Sequence, residues 1–330
     1  MQTFLYRHKK VLPFLSMNHR KTTLFLYFPI SWIVLILLSS TSCALETVIG
    51  VNAGYDSNVN AAPEESGSSF TVGHIHLNHQ ISHEKAFGKS SLYLNSFYQH
   101  YSRFEDNMSA NAGAYYSCFP GSDRLMALAL VEAGIYRDKE DAADELNQLK
   151  TGGQLKFFYN GKTTFQLAQF FHWNHYLEPA EYAVPTGSGN GNTDTDFLIQ
   201  SETRNDCYMS SDMGVAIQLH PLFNMTVAGL YNRLYSSIQT EAYDGFGGSV
   251  YCRFSPDPSW GIATEALLWK NDFDDSQDRS DIFRSVNILI NLFIDRYELF
   301  IRSDFMDNDS SLDNETYKRL VTRCGFSVFF

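Results

Sequence analysis

The sequence predicts an all-β chain, a transmembrane antiparallel up-and-down β-barrel of about 14 strands. Three observations lead there. From Leu45 onward, stretches of roughly ten residues alternate apolar and polar positions, which is the period of a strand. The connections between these stretches alternate in length, with tight turns after the even-numbered strands and longer polar loops after the odd-numbered ones, the pattern of a barrel threaded through a membrane. Beyond the N-terminus no apolar run approaches the ~20 residues that a membrane helix needs, so a membrane-spanning chain of this kind must satisfy its backbone by closing a barrel.

The expected strands are 46–58, 69–82, 90–103, 108–119, 124–136, 151–160, 163–177, 206–219, 223–236, 245–255, 260–272, 282–294, 296–306 and 317–330. In the first, Ile49, Val51, Ala53 and Tyr55 alternate with Gly50, Asn52, Gly54 and Asp56. In the eighth, Met213, Val215, Ile217 and Leu219 alternate with Asp212, Gly214, Ala216 and Gln218. In the twelfth, Val286, Ile288, Ile290 and Leu292 alternate with Ser285, Asn287 and Asn291, and in the thirteenth Tyr297, Leu299 and Ile301 alternate with Glu298, Arg302 and Asp304. In a membrane barrel the apolar face meets lipid and the polar face lines the lumen. The third, fifth, seventh and ninth strands leave their register open; Leu125 to Val131 is apolar almost throughout.

The tight turns carry residues with a mechanical reason to turn: Pro120-Gly121-Ser122-Asp123, Asn160-Gly161-Lys162, His220-Pro221-Leu222, Ser255-Pro256-Asp257-Pro258 and Asp295. A longer turn runs through Glu84 to Gly88. The long loops are 59–68, 137–150, 178–205, 273–281 and 307–316. Loop 178–205, with Pro185-Thr186-Gly187-Ser188-Gly189-Asn190-Gly191, reads as flexible, free to constrict the lumen or stand outside. Residues 138–149 read as one or two helical turns.

Composition narrows the function classes. A net charge of -12 argues against a nucleic-acid partner, which wants a basic face. Aromatic residues make up 15% of the chain, which suits girdles at two membrane interfaces. At the N-terminus, residues 1–44 read as a secretory signal peptide whose natural start is Met17: His19, Arg20 and Lys21 form the positive region, Leu24 to Leu38 the apolar core, and Ser42-Cys43-Ala44 the cleavage site. An uncleaved anchor helix and lipidation at Cys43 are the alternatives. The remaining domain is 45–330. Cys118, Cys207, Cys252 and Cys324 lack any zinc-like spacing and fall on apolar faces.

The residues that carry chemistry are those expected in the lumen. Glu298 and Arg302 share a strand face, Asn287 and Asn291 face inward on the strand before, and Arg319 and Arg323 on the strand after. Opposed charges across a pore would form an eyelet that selects by size and charge, or they hold the wall together as ion pairs. Asp272, Asp274, Asp275 and Asp278 crowd one loop, and Asp307, Asp309, Asp313 and Glu315 another. They are weak metal-site candidates, because the spacing lacks the glycine and terminal glutamate of a calcium loop. His74 and His76 share one strand face, where a polar lumen wall is the simpler reading than a metal pair. No GxSxG, HExxH or P-loop pattern occurs, so no catalytic residue, cofactor or enzyme activity is expected.

Two stretches resemble known classes. The last eleven residues, Leu320 to Phe330, resemble the C-terminal assembly signal of outer-membrane barrels, with its positions on Arg323, Gly325, Val328 and Phe330. The segment Gly54-Tyr55-Asp56-Ser57-Asn58-Val59-Asn60 resembles the opening strand of the surface lipoprotein assembly modifier family, whose barrels also have about 14 strands. That resemblance implies a role in lipoprotein export or display, in a form without the family's N-terminal helical repeat domain.

The expected protein is a bacterial outer-membrane barrel, secreted across the inner membrane and met by lipid, lipopolysaccharide and the barrel assembly machinery. Its leading expected function is a passive pore for small solutes, with protein display or a structural, adhesive surface role as the alternatives.

Overall fold

The structure is a computed structural model that describes residues 45–330 apart from 60, 62–65, 84–87, 140–143, 186–196, 239–240, 275–278 and 313–314. Residues 1–44, expected from the sequence to be a signal peptide, lie outside the described residues.

Fourteen strands follow one another round a closed barrel, each antiparallel to its neighbours in sequence. They are β1 (Leu45–Asp56), β2 (Ser68–His83), β3 (Gly88–Tyr101), β4 (Asn107–Cys118), β5 (Leu125–Asp138), β6 (Leu146–Asn160) and β7 (Thr163–Pro185). The second half comprises β8 (Phe197–His220), β9 (Phe223–Ser236), β10 (Tyr243–Asp257), β11 (Trp260–Phe273), β12 (Ser280–Ile294), β13 (Tyr297–Ser310) and β14 (Tyr317–Phe329). The ring closes where β14 pairs with β1, from Val48↔Phe329 to Asp56↔Val321. Closure leaves no strand edge, so every central N–H and C=O has a partner and the wall can sit in hydrocarbon.

Period-two alternation decides which face meets what. On β12 and β13 the side chains of Val286, Ile288, Ile290, Leu299 and Ile301 are exposed on the outside, while Asn287, Asn291, Glu298 and Arg302 point in. The same rule, carried from strand to strand by the register, orients the strands whose sequences were ambiguous. Val131 is exposed and pairs with Ala114, so Leu125, Ala127 and Ala129 face out with it, and Met126, Leu128 and Leu130 face in. Aromatic side chains gather at the two ends of the outer belt. Tyr159 packs edge-on to Phe165, and Phe254 to Trp260, at the short-turn end. Tyr55, Tyr98 and Tyr235 stand exposed near the loop end. An apolar band between aromatic girdles is what a lipid bilayer selects on a barrel exterior. The four cysteines of the barrel are free and all sit on this outer face.

The sorting of connections holds. Asp295 adopts φ 54° in the two-residue turn between Ile294 and Tyr297, and Gly121 φ 71° in the turn after β4, both left-handed conformations that Gly and Asp tolerate. Three local expectations are corrected. Segment 178–205 is not one flexible loop: after an irregularity between His175 and Pro179, Pro179–Pro185 pairs with Thr203–Phe197. Among the described residues these pair with each other alone, since the pairing of β6 ends at Tyr176 of β7 and that of β9 at Asp206 of β8, so a two-stranded ribbon extends past the wall. The prolines suggested a loop, but they stand at the two ends of the ribbon's β7 arm. Residues 146–149 are strand rather than helical turn, because Leu146 pairs with Tyr136 and Arg137 donates to the Leu146 carbonyl at 2.8 Å and to Asn147 Oδ1 at 3.0 Å. At 255–258, β10 continues through Pro256 to Asp257 by a register shift, and Asp257 then caps the tight turn by accepting from the Ser259 N–H at 2.7 Å.

Candidate functional site: the lumen wall

The inner wall is polar, charged and accessible to solvent. Lys150, Gln154, Lys156, Tyr251 and Glu265 all point inward and remain half-buried rather than packed away. A barrel filled by its own side chains would bury them; this one leaves water-accessible space along the wall. A buried apolar cluster, Phe70, Val72 and Tyr101 with Phe97 and Val321 against it, lies on one side, over β2, β3 and β14.

All six expected eyelet residues point into the lumen, and the structure divides them. Glu298, Arg302 and Arg323 line one recess of about 410 Å³ together with His74, Gln99 and Ser327. Arg302 grips the buried Asp304 from the same strand face, Nε to Oδ1 at 2.8 Å and Nη2 to Oδ1 at 2.7 Å. Arg323 approaches the same carboxylate more loosely, at 3.9 Å, and its buried Nε has no hydrogen-bond partner among the described residues. Glu298 is held by Asn291, whose Nδ2 donates to Oε1 at 3.3 Å. Asn287 donates to Glu265 Oε2 at 3.0 Å. Asp304 lies behind the arginines and Glu298 is the carboxylate on the recess surface, so two guanidinium groups and an imidazole face one carboxylate. Arg302 lies five residues above the start of β13 and Arg323 six above the end of β14. At about 2.5 Å of height per residue on a tilted strand, both sit about 12–15 Å from the short-turn rim, near mid-membrane.

Arg319 belongs elsewhere. Its Nε donates to Asp56 Oδ1 at 3.0 Å and its Nη2 to Oδ2 at 2.5 Å, across the β1–β14 seam at the loop end. Sequence reasoning missed Asp56, Asp304 and His74 as partners of this set, since alternation predicts only that they face inward and not what they meet.

His74 and His76 both point inward, but His76 Nδ1 is hydrogen-bonded to Asn95 Oδ1, a wall contact. Asp272 is ion-paired to Lys270 at 2.6 Å and Asp274 to Arg233 at 2.5 Å, while Asp275 and Asp278 lie outside the described residues. Asp307 and Asp309, expected in a loop, lie near the end of β13 as strand residues and pair with Arg284 at 3.3 and 3.7 Å, and Glu315 pairs with Arg279 at 3.7 Å. These carboxylates already have cations. Among the described residues no group of three or more His, Cys, Asp or Glu side chains is arranged to hold a metal ion.

No protein-family model and no curated protein sequence matches the chain. Solved structures do. The barrel is similar to that of outer-membrane expressed OmpT of Vibrio cholerae, at 7% identity and a TM-score of 0.52, over 89% of this chain and 99% of that one. It is also similar to an anion-selective porin from Comamonas acidovorans, at 8% identity and a TM-score of 0.49, over 88% of this chain and 99% of that one. At such identities the likeness is one of fold. It corrects the resemblance to the surface lipoprotein assembly modifiers: the barrel that this chain follows along nearly its whole length is that of outer-membrane expressed OmpT, and no such modifier. The segment Gly54 to Asn58 has a local purpose instead. Asp56 receives Arg319, the Asn58 N–H donates to Asp56 Oδ1 at 3.1 Å, and Asn58 Nδ2 donates to the Lys318 carbonyl at 3.1 Å. A Cβ at Gly54 would run into the Thr322 carbonyl. These residues seal the first strand to the last, a need of any closed barrel rather than the mark of one family. A closed 14-strand ring with an apolar outer belt, aromatic girdles and a polar, solvent-accessible lumen wall gives this chain the fold of a membrane-spanning β-barrel, the fold of outer-membrane expressed OmpT.

Proposed function

We propose that the protein is a passive channel for small hydrophilic solutes across the outer membrane. The observation that carries this reading is the solvent-accessible inner wall, with the charged recess of Glu298, Arg302 and Arg323 at mid-height. Charges buried in a closed barrel would be costly; here they face water, as pore-lining charges do. The Lys150 and Lys156 strand, β6, stands seven places round the ring from β13, so cations face the Arg302 wall from the far side. In this reading residues 1–44 are a cleaved signal peptide that delivers the chain to the periplasm, and Arg323, Gly325, Val328 and Phe330 present the assembly signal to the barrel-inserting machinery. Lipid and lipopolysaccharide are its surroundings.

The test is solute flux. Proteoliposomes carrying the refolded barrel should swell in iso-osmotic monosaccharides or amino acids, at rates that fall with solute size. Liposomes that remain impermeable to every small solute, with the barrel correctly folded, would refute the channel.

A further inference from the structure

A second recess in the lumen wall, of about 560 Å³, lies nearer the loop end and is bounded by β8, β9 and β11–β14. Its back wall has an unusual floor. Gly245 and Gly247 point inward from β10, paired with Asn271 and Trp269 of β11. A Cβ at 245 would stand 2.6 Å from Trp269 Cζ2, and one at 247 would stand 2.5 Å from Cε3. Those two atoms are on opposite edges of the six-membered ring, so the indole lies along two successive glycines. Its N–H is hydrogen-bonded to Asn271 Oδ1, which fixes its rotation. One ring face is thereby covered by the wall, and Trp269 lines the recess with what remains.

Tryptophan on a membrane barrel ordinarily sits outside, at the interfaces, as Trp173 and Trp260 do here. Trp269 is turned into the water-filled side, and glycines that weaken a strand are spent to seat it. Glycine within a strand marks places where something approaches closely. Tyr208, Phe283 and Tyr317 line the same recess. So do Ser210 and Asp212, the latter with the Lys156 ammonium as its electrostatic neighbour. The arginine present, Arg279, is committed to Asp281 at 2.9 Å.

We propose that this recess binds one ring of a neutral sugar, its apolar face stacked on the Trp269 indole and its hydroxyls donating to Asp212 and Ser210. Aromatic faces favour apolar C–H groups over them, a recess with apolar walls and few convergent polar groups is the usual form of a small-molecule site, and the carboxylates of Asp212, Asp281 and Glu315 on its lining disfavour an anionic solute. The site rests on the channel reading for its purpose, as the capture point near the loop end of the pore.

Isothermal titration of the detergent-solubilised barrel tests it without requiring conduction. The probes are maltotriose and chitotriose, with a polyethylene glycol of matching mass as a control that enters the lumen but has no ring face. At least one sugar should give a saturable isotherm while the polymer gives none. Trp269→Ala and Gly247→Val, the second of which lifts the indole off its floor, should each weaken binding at least tenfold. Trp269→Tyr should retain part of it, and Trp173→Ala on the lipid face should leave it unchanged. Heat-modifiable migration in gels reports that each variant has folded. No saturable heat with either sugar, equal heat from the polymer, or undiminished binding in folded Trp269→Ala overturns the proposal. Binding in a barrel that conducts nothing keeps the site and refutes the channel; conduction without binding does the reverse.

Discussion

Arg319 closes the barrel on Asp56. The two are 263 residues apart in sequence, and the guanidinium meets both carboxylate oxygens, at 3.0 Å and 2.5 Å, while Asp56 is 1% exposed. Every other pair of strands in the ring is joined by a turn or loop; β1 and β14 are joined only by their ladder and by side chains such as these. Removing one partner would leave a buried, uncompensated charge, which costs about 3–5 kcal/mol. Arg319→Ala should therefore lower the temperature at which the barrel loses heat-modifiable migration in gels, and Asp56→Asn combined with Arg319→Gln should recover much of that loss. An Arg319→Ala barrel as heat-resistant as the parent would show that the seam does not depend on this pair.

Arg323 offers the complementary experiment, because it can be neutralised while Asp304 keeps its Arg302 partner at 2.8 Å. Arg323→Gln should shift reversal potentials toward cations, lowering the anion-to-cation permeability ratio by roughly twofold or more, since lumen charges act through the local field. Glu298→Gln should shift them the other way. Arg319, committed at the seam, should not alter selectivity when replaced by Lys. Unchanged selectivity in both Arg323→Gln and Glu298→Gln would remove the eyelet.

Phe330 separates assembly from stability. Its backbone exchanges two hydrogen bonds with Thr47, at 2.9 and 3.3 Å, and the residue is 63% exposed. So little contact means that deleting Phe330 should hardly change refolding of purified protein into detergent. In cells the same deletion should sharply reduce the folded barrel in the membrane, because the assembly signal is lost. Equal insertion with and without Phe330 would count against that signal.

Outside the membrane belt, the loop between β3 and β4 has a carboxylate clamp. Asp106 accepts from the Tyr98 hydroxyl, pairs with His100 Nδ1 at 2.7 Å, and lies 3.7 Å from Lys139. The Tyr98 hydrogen bond, followed by that of His100, holds its carboxyl below the usual carboxylate range. A depressed folded-state value contributes stability that is full above the unfolded value of about 3.9 and fades as pH falls through the folded one. Hydrogen exchange in 102–106, once the intrinsic rate is corrected, should thus rise as pH falls below about 4. Asp106→Asn should remove that step.

Much of this fold is legible in the sequence wherever one face is strictly apolar. The alternation through Val286, Ile288, Ile290 and Leu292 predicts β12 and its facing without ambiguity, and the turn residues Gly121 and Asp295 sit where φ is positive. β5 resists because its lumen face also carries apolar side chains, Met126, Leu128 and Leu130, so period two disappears. The ribbon beyond β7 and β8 resists because proline and glycine suggested a loop, and the pairing that makes it a strand is not local. For the lumen, sequence periodicity correctly places Glu298, Arg302, Arg319 and Arg323 on the inner face. It cannot assign their partners, because those depend on which strands closure brings together. That is why Arg319 separates from the recess of Arg323, and why Trp269 was not singled out although two glycines on one face of β10 were in plain view.

The most direct measurement is single-channel recording of the purified, refolded barrel in a planar bilayer. A water-filled, charged lumen predicts stepwise current increments whose size rises with salt concentration, with a reversal potential that moves when Arg323 is neutralised. A folded barrel that inserts and passes no current at any salt concentration would contradict it.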